Sequence, residues 1–188
     1  MHRRSVLARA MLAAAVTTLW AAGANAQQQF QTTFSGINEV PSPILSQGQG
    51  TLSLSVNAQQ QTLTYTLTYS NPSTTPVWTV TQAHIQFGTE HQEGFVIVFL
   101  CTTLNNGPPT TPTCTSPSGT ITRTITAVEI LSAAPQGLAA ADFNGLVTIL
   151  TSGAAYANIH TTQFPTGEIR GQIQQCSPKG GPPDQRCQ

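Results

Sequence analysis

Strict alternation of apolar and hydroxylated residues is the feature that most limits how this chain can fold. In TLSLSV, Leu52, Leu54 and Val56 face one way and Thr51, Ser53 and Ser55 the other; in LTYTLTYS, Leu63, Tyr65, Leu67 and Tyr69 oppose Thr64, Thr66 and Thr68. Successive side chains of a strand point to opposite faces, so both segments read as half-buried strands with one wet face. The polar link NAQQQ between them predicts a hairpin. GFVIVFLC, residues 94–101, is almost continuously apolar and rich in branched and aromatic residues. It predicts a central strand covered on both faces. Further strands are predicted at 30–35, 81–87, 120–127, 155–161 and 168–174.

About eight short strands in one chain predict an all-β domain, an antiparallel β-sandwich or Greek-key-like barrel. One stretch breaks the pattern. In LAAADFNGLVTILTSG, Phe143, Leu146, Val147 and Leu150 recur at helical spacing, Asp142 is placed to cap, and Gly153 follows the last turn. A single short helix, packed over one edge of the sheets, is expected there.

The beginning of the chain implies a compartment. Arg3, Arg4 and Arg9 precede or open an apolar run over residues 10–22, and Ala24-Asn25-Ala26 offers small residues to a peptidase. This is the pattern of a secretory signal peptide at residues 1–26, and the run is too short to serve as a membrane span. The chain is therefore expected to be secreted or periplasmic, with one β domain over 27–175 and an irregular tail over 176–188. After cleavage, Arg123, Arg170, Lys179 and Arg186 stand against seven acidic residues. No basic stripe remains to neutralise phosphates, which argues against nucleic acid as a partner.

All four cysteines fall in the exported part. Cys101 and Cys114 bracket TTLNNGPPTTPT, and Cys176 and Cys187 bracket SPKGGPPDQR. Local pairing, Cys101 with Cys114 and Cys176 with Cys187, is the preferred of three connectivities in an oxidising compartment. Each bridge would close a loop of about a dozen residues and contribute about 2 to 3 kcal/mol. Neither pair has the short spacing that presents two thiolates to one zinc ion.

Candidates for chemistry gather near the end. Tyr156, Asn158 and His160 share one strand face, Glu168, Arg170 and Gln172 share another, and Pro165 and Gly167 mark a turn between them. A hairpin would bring His160, Glu168 and Arg170 into one hydrogen-bonded cluster. His84 shares a strand face with Gln82 and Gln86, and His91 sits in a loop with Glu90 and Glu93. No GxSxG elbow supplies a nucleophilic serine. Glu90 and Glu93 read as a solvated acidic loop, and Glu39 as a turn or register determinant. Trp78 and Phe164 read as caps over the ends of the sandwich.

Three segments, FSGINEVPSP, AHIQFG followed by GFVIVFL, and YANIHTTQFPTGEIRGQI, together resemble the CHRD domain, first described in chordin and found in many exported microbial proteins. The resemblance runs from about Phe30 to Ile173 and implies a secreted β-rich domain, but no catalytic residues. The family's middle motif usually reads HIH, where this chain has His84-Ile85-Gln86. Two histidines at i and i+2 would face one ion together; one histidine beside glutamine makes a weaker site.

Two readings follow. In the first, the chain is a non-catalytic structural or binding module, with no cofactor and with a protein or cell-envelope ligand as its kind of partner. His84, His160, Glu168 and Arg170 then form a structural cluster in which Arg170 pairs with Glu168 and strand register is fixed. In the alternative, His84, His160 and His91 bind copper or zinc on a β-sandwich, by analogy with Cu/Zn superoxide dismutase.

Overall fold

A computed structural model describes residues 27–71 and 78–176. The predicted signal peptide and Cys187 lie outside them. The described residues form an antiparallel β-sandwich of nine strands with one short α-helix. One sheet has the order β6-β3-β2-β1-β9 and the other β5-β4-β7-β8. In chain order the strands are β1 (Gln28–Phe34), β2 (Gln49–Asn57), β3 (Thr62–Ser70), β4 (Val80–Phe87) and β5 (Phe95–Thr102). They continue with β6 (Ser118–Thr126), β7 (Ala155–Thr161), β8 (Ile169–Gln172) and β9 (Gln174–Gln175). After the meander β1-β2-β3, the β4-β5 hairpin lies in the second sheet, and β6 returns beside β3, a Greek-key-like path.

The alternating segments form the middle of the five-stranded sheet. Leu52, Leu54 and Val56 of β2 and Leu63, Tyr65, Leu67 and Tyr69 of β3 are buried, while their hydroxylated neighbours face outward. The Tyr65 hydroxyl crosses the core to donate to the Leu100 carbonyl at 2.7 Å, satisfying a polar group that burial would otherwise penalise. On β6, Arg123 occupies a core-side position and is ion-paired with Glu129. Although burial opposes it, bonds from Thr110, the Thr126 backbone and Arg123 hold the Glu129 carboxyl below its ordinary pKa.

The segment read as a central strand is an edge strand. β5 pairs with β4 alone, and two register shifts leave Ile97 and Leu100 unpaired opposite it. Bulges of this kind break the two-residue alternation, so that Ile97, Val98, Leu100 and Cys101 all reach the core. The outer edge of β5 is closed from the side by Leu131, whose N–H donates to the Ile97 carbonyl at 2.9 Å, and by the loop that the Cys101–Cys114 disulfide ties down. Uninterrupted hydrophobicity thus reflects bulges and side cover, which a periodicity argument cannot separate from a central position.

The helix α1 spans Phe143–Thr151, with the Asp142 carboxylate accepting from the Gly145 N–H at 2.8 Å. Phe143, Leu146, Ile149 and Leu150 are its buried residues, whereas Val147 is half-buried. The last predicted strand is divided. β8 ends at Gln172, and after Ile173 the chain crosses to the other sheet, where β9 pairs with β1 at Phe30 and Gln31. Trp78 is buried edge-on against Tyr69, so it is a core residue, and Phe164 is half-buried in the β7-β8 turn.

Candidate functional site

Ala83 and Ile85 of β4, Ala157 and Ile159 of β7 and Ile169 of β8 point into the sandwich core. Alternation therefore turns His84 and Gln86, Tyr156, Asn158 and His160, and Arg170 to the other side of the four-stranded sheet. That side is not wet: all six of these residues are buried. Residues Glu39 and Val40 of the β1-β2 connection and Glu93 and Gly94 of the β4-β5 connection border it, leaving an open cleft of about 310 Å³.

Antiparallel pairing places His84 opposite Asn158, Gln86 opposite Tyr156, and Asn158 opposite Arg170. Tyr156 donates from its hydroxyl to Gln86 Oε1 at 2.8 Å, and Gln86 Nε2 donates to Asn158 Oδ1 at 2.6 Å. The Gly94 N–H donates to the Tyr156 hydroxyl at 3.2 Å. His84 Nδ1 lies 3.2 Å from His160 Nε2, which is also 3.1 Å from Asn158 Oδ1. His160 Nδ1 lies 3.0 Å from the Pro165 carbonyl, so both ring nitrogens of His160 face an acceptor-only oxygen, and the one proton of a neutral ring serves one of the two. His84 Nε2 is buried with no hydrogen-bond partner, on a ring packed edge-on against Phe99 with centroids 4.4 Å apart. Burial, and secondarily His160, push the His84 pKa down to about 3. Burial also lowers that of His160, against the opposing bond to Pro165.

Arg170 does different work. Its guanidinium stacks on the Tyr156 ring, 3.4 Å from the centroid, and one terminal nitrogen donates to the Thr89, Glu90 and Gln92 carbonyls at 2.9, 3.3 and 2.9 Å. It fastens the β4-β5 connection to the sheet. Glu168 stands just before β8 and accepts from the Ser46 and Thr161 hydroxyls, each at 2.6 Å. Both residues are buried, but they hold different segments, and the pairing of Arg170 with Glu168 expected from the sequence does not form. The reason is reach: Arg170 extends over Tyr156 to the carbonyls of the 89–92 segment, while Glu168 is taken up by hydroxyls of β7 and of the β1-β2 connection.

Glu39, read from the sequence as a turn or register determinant, also borders this cleft. It is 5% exposed, one of its carboxylate oxygens has no partner, and burial raises its pKa to about 7 even though Arg170 lowers it. Gly167, at φ +134°, lets it approach: a Cβ there would lie 2.9 Å from both Glu39 carboxylate oxygens and from Asn158 Nδ2. Its sequence signals were its place in FSGINEVPSP, which led only to a turn or register role, and its isolation as the sole charge between residues 27 and 89.

His91 does not join the other two histidines. It is exposed and borders a separate depression with Ile37, Glu39, Pro41 and Glu90. Among the described residues no group of three or more His, Cys, Asp or Glu side chains is placed to hold a metal ion. His160 spends both ring nitrogens on Pro165 and His84, so the metal set of His84, His160 and His91 is not assembled. Cys101 and Cys114 are bonded to each other, and Cys176 is disulfide-bonded at the edge of the described residues.

An antiparallel β-sandwich whose connections are held over one sheet by buried Arg170, Glu168 and His160, with His84 Nε2 and one Glu39 oxygen left without a partner, defines the class of domain. The chain belongs to the CHRD family: the family model for the CHRD domain matches residues 30–173. No curated protein and no solved structure matches it.

Proposed function

We propose that this chain is an exported CHRD-domain module without catalysis of its own, acting as a structural or binding unit outside the cytoplasm. The observation that carries the reading is the commitment of Arg170, which gives its charge to three loop carbonyls and an aromatic face. With Arg170 only 2% exposed, that charge is held against the connection it fastens. His160 and Glu168 are likewise engaged with protein partners. The disulfide between Cys101 and Cys114 supports export, since such bonds persist in oxidising compartments. The sequence signal at residues 1–26 supports the same assignment.

The test joins location to metal content. Expressed with its own first residues, the protein should be recovered from the periplasm or medium as a chain beginning at Gln27. Purified without chelators and titrated with Cu(II) and Zn(II), it should show no stoichiometric site. Retention in the cytoplasm would overturn export, and a tight one-to-one site abolished by His84→Ala would put metal binding in place of the structural reading of His84 and His160.

A further inference from the structure

The outer face of the five-stranded sheet is built unlike the face just described. Ladder register aligns its outward residues into ranks across four strands: Thr124, Thr64, Ser55 and Gln29; Thr122, Thr66, Ser53 and Gln31; Thr120, Thr68, Thr51 and Thr33. None of these residues is charged or aromatic. Strand geometry spaces them roughly 4.8 Å across the ranks and about 6.8 Å along each strand.

The hydroxyls are also held in place. Thr64 bonds Thr124 at 2.7 Å, Thr66 bonds Thr122 at 3.0 Å, Thr68 bonds Thr120 at 3.2 Å, and Gln29 donates to Ser55 at 2.9 Å. Ordering that precedes binding reduces its entropic cost. At the β1 side the ranks run into a groove of about 550 Å³ lined by Gln31, Thr33, Thr51, Ser53, Gln172 and Gln174. Gln172 borders the groove from β8, but its side chain is turned with that of Arg170 to the covered face of the other sheet, where it donates to the Gly88 and Gly153 carbonyls at 3.1 and 2.7 Å.

We infer that this face and groove form a docking surface for a neutral polysaccharide chain, with sugar hydroxyls exchanging hydrogen bonds with the ranks and one sugar unit seated in the groove. Charge complementarity selects the partner. A nucleic acid needs cations to replace its counterions, and a membrane-surface site needs basic residues around an apolar patch; the ranks offer neither. A protein interface draws its energy from buried aromatic and arginine anchors, and Ser and Thr are under-represented among them. A flat ice lattice is disfavoured because neighbouring strands rotate by roughly 20 to 25°, which carries the outer ranks off any plane. A flexible glycan can follow that twist. Amide and hydroxyl side chains, which both donate and accept, match a ligand whose every hydroxyl does the same.

The inference rests on the exported binding-module reading for where the glycan is met, and the experiment separates the two. The purified chain is run through native gels cast with amorphous cellulose, xylan, β-1,3-glucan or dextran, and reducing ends are assayed after incubation with each. At least one glycan should retard the protein. Ser53→Lys in the groove and Thr122→Lys in the ranks should each weaken that interaction by about tenfold, a loss of about 1.4 kcal/mol, while the melting temperature falls by no more than the loss of one cross-strand pair, roughly 0.2 to 1 kcal/mol, implies. Leu104→Lys, at an exposed site away from the ranks, should not weaken it. Absence of retardation by all four glycans, or retardation indifferent to both rank variants, overturns the surface and leaves the export reading standing. Release of reducing ends overturns the non-catalytic reading and leaves the surface standing.

Discussion

Removing the guanidinium of Arg170 is the most direct perturbation of the polar network. Arg170 is 2% exposed, and its three carbonyl acceptors lie in a connection whose own side chains are exposed. A hydrogen bond to a charged donor contributes about 1.5 to 3 kcal/mol, and a desolvated cation over an aromatic ring about 2 kcal/mol. Gross loss in Arg170→Ala is therefore several kcal/mol. Two effects reduce it: water reaches the Thr89, Glu90 and Gln92 carbonyls once the connection lifts, and the desolvation cost of the cation disappears. A net destabilisation of about 3 kcal/mol is expected, which for a domain of this size lowers the melting temperature by roughly 6 to 12 °C. Differential scanning calorimetry on the parent, Arg170→Ala, Arg170→Met and Arg170→Lys separates the causes. Methionine restores volume without donors and should recover little. Lysine restores charge but not the planar stack on Tyr156, and should fall between parent and alanine variant. An alanine variant that melts with the parent, or a methionine variant that restores the full melting temperature, would refute the clasp and reduce Arg170 to filler.

Three further outcomes are expected. Glu39 has a folded pKa of about 7 against an ordinary 4.5, so its contribution is fully present below about pH 4.5 and lost as pH rises through 7, a difference of about 3 kcal/mol. Urea midpoints between pH 4 and 8 should show this alkaline-side decline in the parent and its absence in Glu39→Gln; parallel profiles would refute it. His84 has the opposite sign: held down to about 3 from 6.5, it supports the fold above about pH 6.5 and loses about 4 to 5 kcal/mol as pH falls to 3. His84→Gln should flatten that acid limb. Replacing Cys101 and Cys114 by serine, which releases a link across 13 positions, should cost about 3 kcal/mol and open residues 102–113 to proteolysis; an unchanged midpoint would show that the bridge adds nothing.

The fold was legible where one rule governs one residue. Leu52 to Val56 and Leu63 to Tyr69 alternate because one face is core and the other hydroxylated, and their ladder follows from the short link between them. The β5 segment was misread because bulges at Ile97 and Leu100 produce the same apolar run as a doubly covered central strand. At the site, alternation placed His84 with Gln86, and Asn158 with His160, on one side of the sheet, as the ladder does. It could not reveal that this side is covered, because the covering residues lie far away in the chain. Ser46 is 122 positions from its acceptor Glu168, and Arg170 is about 80 from the carbonyls it holds. Short-range spacing suggested that Glu168 and Arg170 pair; long-range partners with better geometry take both.

The two outer faces of the sandwich explain why the charged residues fall where they do. Over the four-stranded sheet two connections lie against the backbone, and their polar groups need partners away from bulk water. Arg170, Glu168 and His160 supply long-reaching or two-sided bonds that small hydroxyls cannot. Over the five-stranded sheet no connection among the described residues supplies such groups to the named ranks, and threonine suffices: its branched carbon suits a strand, and its hydroxyl bonds its cross-strand neighbour. A charge placed in those ranks would be tolerated by the fold. A charge removed from beneath the connections would not be. Selection for folding alone therefore accounts for ionisable residues on the covered face, and in a chain only 7% charged it is also compatible with neutral ranks, so the glycan gels and not the composition decide whether that face has a partner.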